Sequence, residues 1–91
     1  MPSFAGLPGA DLVEEGLADL KSGRETEAAL LVSIGAPKLM QLGIALPCAL
    51  QDAEHRLYAL LSKQYVDGAH SRYNALVRRL VSFERALACV R

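Results

Sequence analysis

Two carboxylate-x-x-histidine pairs, Asp52-x-x-His55 and Asp67-x-x-His70, are the residues whose spacing first suggests chemistry. Side chains three apart on a helix share a face, so each pair has the form of half a metal site in a helical bundle. The rest of such a site is missing. Bundle di-metal centres use the longer Glu and draw further Glu ligands from neighbouring helices. If two helices run antiparallel about residues 67–68, His70 stands level with residue 65, leaving His55 about 15 Å away along the axis. One metal does not span that gap. The pairs read as surface cap contacts, and no metal is expected.

Cys48, Asp52 and His55 follow at i, i+4 and i+7, which gives the composition of a thiol nucleophile site on one helix face. That face lies about 160–180° from Leu57, on the side opposite the leucine stripe. A bare helix face has neither a cleft nor an oxyanion hole, so the set reads as wet surface. A Cys48–Cys89 disulfide is not expected either. Both cysteines fall at the same end of the proposed hairpin, but each points away from its own apolar stripe. Gly6 and Gly9 belong to no phosphate-binding loop pattern. No catalytic, cofactor-binding or metal-ligating residue emerges, and the chain reads as non-enzymatic with no cofactor.

Charge is the stronger signal. Residues 1–45 carry six acids and three bases, whereas residues 46–91 carry four acids and seven bases. The simplest outcome is mutual neutralisation, within the fold or across a dimer. Five of the bases are Arg72, Arg78, Arg79, Arg85 and Arg91. On a helix, Arg78 and Arg85 form one ridge and Arg72 and Arg79 another, a geometry able to follow a phosphate backbone or an acidic partner. Ordinary salt bridges are the plainer expectation, since hairpin arithmetic puts Glu54 and Asp52 within reach of Arg78 or Arg85. Glu84 breaks its pattern, lying about 40° from the centre of the apolar stripe. A buried carboxylate needs a partner, and Gln51, Arg56 and Arg91 are the candidates. The aromatics are Phe4, Tyr58, Tyr65, Tyr73 and Phe83, too few to stack bases.

These residues must be held by helices. Asp11 to Lys21 carries Val13, Leu17 and Leu20 on one face with its acids on the other, and Ser22-Gly23 stops it. Arg24 to Ile34 is apolar almost all round and reads as a buried helix. Gly35 ends it, and Pro37 opens a short helix to Leu42. A longer helix begins at about Cys48 or Asp52 and reaches Val66. Asp67-Gly68 makes a turn, with Asp67 as N-cap, and the last helix runs from Ala69 to Cys89. Leu57, Leu60, Leu61, Tyr73, Leu76, Leu80, Phe83 and Leu87 repeat in steps of three and four along the last two helices. Apolar runs follow the helical period throughout, and no strand is predicted.

The frame that results is an all-α, small helical bundle of four to five helices with a C-terminal antiparallel helical hairpin as its spine. It occupies residues 1–91 as one domain, with 1–9 an irregular lead-in. At 9.8 kDa and 52% apolar residues the chain is too hydrophobic for disorder, and ten bases against ten acids is too neutral for general nucleic-acid binding. The first fifteen residues lack a basic segment followed by an apolar run, so no signal peptide is read. Polar and glycine breaks in residues 28–46 rule out a membrane span there. Two cysteines are too few for a secreted disulfide scaffold, which makes a reduced, cytoplasmic setting the expectation. The expected function is a protein-protein interaction module, forming a homodimer through the C-terminal leucine stripe. The competing expectation is a regulatory or nucleic-acid-associated protein using Arg72, Arg78, Arg79 and Arg85.

Overall fold

The computed structural model describes residues 6–46 and 49–90, and every regular element among them is a helix. The helices are α1 (Ala10–Lys21), α2 (Glu27–Ile34), α3 (Ala36–Gln41), α4 (Ala53–Gln64) and α5 (Ala69–Val90). None is long and apolar enough to cross a membrane. α1 stops where the sequence says. Gly23 takes the left-handed conformation at φ 75°, its N–H donating to Leu20 O at 3.1 Å while Arg24 N–H donates to Asp19 O at 2.8 Å. These two bonds make a Schellman cap.

α2 starts later than the expected Arg24. Thr26 is the N-cap, its hydroxyl oxygen accepting from Ala29 N–H at 3.2 Å, so Arg24 and Glu25 belong to the linker. α3 keeps Pro37 in its first turn, where a missing N–H is harmless. α4 begins only after Asp52, which sits in the left-handed region at φ 55° and ψ 37° and makes no side-chain cap bond. The first bond of α5 runs from Arg72 N–H to Gly68 O at 2.9 Å, which puts Gly68 rather than Asp67 at its cap position. With 22 residues, α5 is about 33 Å long.

The expected spine is corrected: the hub of the fold is α2. Ala28 to Val32 are all at most 2% exposed, and this helix packs against α1, α3, α4 and α5. A helix apolar on every side satisfies all its faces only by having a neighbour on each. Its closest neighbour is α1, where Gly16 lies directly against the Ala28 carbonyl. The C-terminal stripe feeds the same core. Leu57, Leu61, Leu76, Leu80, Phe83 and Leu87 are buried within the single chain, while Leu60 and Tyr73 are half-buried at its edge. The Cα radius of gyration, 12.6 Å, is close to the about 12 Å typical of a compact chain this long.

Two polar residues sit inside this core against expectation. Asp19 does not face outward with the other acids of α1; it is buried. Its carboxylate accepts from the Thr26 hydroxyl at 2.6 Å and pairs with Arg24 at 3.2 Å. Asp19 therefore fastens the α1–α2 linker to α1 and orients the hydroxyl that caps α2. Ser33 is buried as well, donating to Ala29 O and accepting from Leu50 N–H, both at 2.9 Å. It ties the strandless segment before α4 to the hub. Asp19→Ala is expected to lower stability by about 1–3 kcal/mol, since it leaves the Thr26 hydroxyl without its acceptor. The urea midpoint reads this loss, and a loss no greater than that of the exposed Glu15→Ala would contradict the clamp.

Candidate interaction face

The charged halves meet within one chain. Asp11 on α1 pairs with Arg79 on α5, its two oxygens 3.1 and 3.4 Å from one guanidinium nitrogen, and Glu25 pairs with Arg56 at 3.3 Å. The expected partnership of Glu54 or Asp52 with Arg78 or Arg85 does not form. Among the described residues Arg78 and Arg85 have no ion-pair partner. α1 lies beside the Arg79 flank of α5, and its Asp11 takes that arginine. Arg72 is engaged too, its guanidinium 5.8 Å from the centre of the Tyr65 ring. Of the four arginines in the predicted polyanion face, two remain free.

The opposite flank of α5 faces α4. Tyr58 packs against Tyr73 with ring centroids 5.7 Å apart and against the edge of His70 at 6.4 Å. His70 Nε2 also lies 3.2 Å from Asn74 Nδ2, and this histidine and Asp52 contribute to no metal cluster among the described residues. Along α5, Tyr73, Val77 and Val81 form a half-covered row that continues past Tyr58. Burial raises the Tyr73 pKa above its ordinary value, and the neighbouring Glu54 carboxylate adds to the shift. Glu54, one turn before Tyr58 on the same face of α4, stands at the α4 edge of this row.

Glu84 lies at the far end of the row. It is half-buried, packed toward the α2–α3 corner, where a Cβ on Gly35 would come within 3.0 Å of its Oε2. Lost hydration raises its pKa, and Lys38 on α3 opposes the shift. The cation nearest its influence therefore comes from α3. Arg56 is paired with Glu25, and Gln51 is exposed. Beside the row, Ser33, Ile34, Pro37, Leu50, Asp52, Ala53 and Glu54 line a shallow cavity of about 250 Å³. Apolar Ile34, Pro37, Leu50 and Ala53 share its lining with Ser33, Asp52 and Glu54.

Of the remaining predicted sites, Cys89 is an exposed free thiol. Cys48, Arg91 and Phe4 lie outside the described residues, so the Cys48/Asp52/His55 set and any Arg91 contact lie outside them too. Asp52 and His55 are exposed. The buried roles of Asp19 and Ser33 have no periodicity signal, because both depend on contacts from a loop. No protein-family model, curated protein or solved structure matches this chain.

Proposed function

We propose that the chain is a non-enzymatic helical interaction module that self-associates through α4 and α5, which pair as an antiparallel hairpin. One observation carries the reading: the half-covered row Tyr73, Val77 and Val81, with Tyr58 40% exposed beside it. The deeper stripe residues are used inside the chain, so the contact between copies falls on this outer flank, with Leu60 at the other edge of α4. Tyrosine and arginine dominate the energetics of protein interfaces, and both flank the row here. The competing polyanion reading rests on Arg72, Arg78, Arg79 and Arg85, and the pairing of Arg79 and Arg72 weakens it. An exposed thiol at Cys89 suits a reducing, cytoplasmic setting.

The test is the solution mass. Size exclusion with light scattering at micromolar concentration and about 0.15 M salt is expected to give twice the 9.8 kDa of the chain. A mass that stays at 9.8 kDa up to high micromolar concentration would overturn the reading.

A further inference from the structure

We infer, building on the self-association proposed above, that the second copy docks by a two-fold axis parallel to α5, placing the Arg78–Arg85 ridge of each copy against the Glu54–Glu84 edge of the other. The face is built in three bands. In the middle is the half-buried apolar row of Tyr73, Val77 and Val81. On one side stands Glu54, on the helix whose Tyr58 touches Tyr73, with Glu84 at the far end of the same side. On the other side, turning about 40–100° further round α5 than Val77 and Val81, are Arg85 and Arg78. Both arginines are exposed and unpaired among the described residues.

An isologous dimer must be self-complementary. Of the two in-plane axes through this face, the one across the row brings acid onto acid. The one along the row brings base onto acid twice, with apolar row on apolar row. Levels agree with that axis. Arg85 and Glu84 are adjacent in sequence and so stand level across a parallel two-fold. Arg78 is about 7.5 Å along α5 from Tyr73, the residue beside Glu54, a gap within the span of an arginine side chain. The second copy gives Arg78, Arg85 and Glu54 an opposite charge that the described residues of their own fold do not provide, and half-buried Glu84 gains a cation beyond the Lys38 of its own α3.

The experiment is a charge swap on the full chain. Arg78→Glu and Glu54→Lys both change exposed side chains, and thermal melts by circular dichroism verify that each variant folds. Either change alone puts like charges at both ionic contacts and is expected to weaken self-association about tenfold or more. An equimolar mixture of the two is expected to regain it as a heterodimer, because the Glu at 78 then faces the Lys at 54 while the native Arg78–Glu54 pair survives at the other contact. Light scattering gives the masses, and absorbance at 260 nm detects any nucleic acid. A wild-type dimer whose variants associate normally, or whose mixture does not recover, overturns this docking geometry and leaves self-association standing. A monomeric wild type overturns both. A complex with nucleic acid that salt disperses overturns both in favour of the polyanion reading.

Discussion

Gly16→Ala is expected to lower the melting temperature despite improving helix propensity, and Gly16→Val to lower it much further. A side chain at position 16 would run into the carbonyl oxygen of Ala28 and stand 2.8 Å from Val32 Cγ1 and 2.9 Å from Ala28 C. Two of those three atoms are backbone, so no rotamer change relieves the clash and α1 must move off the hub. Alanine gains about 1 kcal/mol over glycine in a helix interior, while overpacking costs about 1–3 kcal/mol. At a backbone contact the upper end applies, and the packing loss wins. Total stability for a domain of 91 residues is about 5–14 kcal/mol. The larger valine, which must push α1 further, brings a chain at the low end of that range close to unfolding. Melting followed by circular dichroism checks both variants. A Gly16→Ala protein that melts at or above the wild-type temperature would show that the helices are not in such close contact.

Phe83→Ala is expected to remove about 3–5 kcal/mol, the range for emptying a large aromatic from a core. Phe83 is completely buried and belongs to the same core cluster as the α2 leucines. This substitution also separates two roles for the C-terminal stripe. If Phe83 packs inside one chain, the drop in melting temperature is the same at every protein concentration. If it belongs to the contact between copies, the drop shrinks as concentration rises, because mass action stabilises the associated form. A concentration-independent loss is the expected result, with Phe83→Leu retaining most of the stability.

Local pattern and cap chemistry account for what was readable beforehand. Gly23, Gly35 and Pro37 mark three helix boundaries to within a residue, and α5 begins at Ala69 as its periodicity predicts. The buried nature of α2 also followed from Ala28 to Val32, a run with no polar face to turn outward. Its role as hub did not, because a pattern shows that a helix is surrounded without showing by what. Helix length made α5 the expected spine, whereas the number of faces that need covering makes it α2. The charged residues were the least legible. Arg79 meets Asp11 across 68 positions of sequence, a choice made by how α1 crosses α5. Asp19 sits on the helix with Arg24 and Thr26 of the five-residue linker folded over it, and only the cap of α2 reveals why. For the candidate face, Tyr73 was visible as a stripe residue and Arg78 and Arg85 as a ridge, but the row they border gains meaning only once α1 and α4 have claimed the other sides of α5.

The construction of α2 has a consequence for the unfolded chain. From Ala28 to Pro37 there is no charged residue and, before position 37, no proline, while Val32 and Ile34 favour extended structure when freed from the helix and Leu30 and Leu31 add apolar surface. A short, uncharged, β-prone window of this kind is a template for intermolecular strand pairing. The fold hides most of it, burying Ala28 to Ser33 on every side and leaving only Ile34 half-covered and Pro37 exposed. Whenever the hub opens, the most hidden stretch of the molecule becomes its stickiest, with Glu27, Pro37 and Lys38 as the flanking residues that oppose stacking. Heat or a core mutation is therefore expected to lead from loss of the native state to aggregation seeded at this segment.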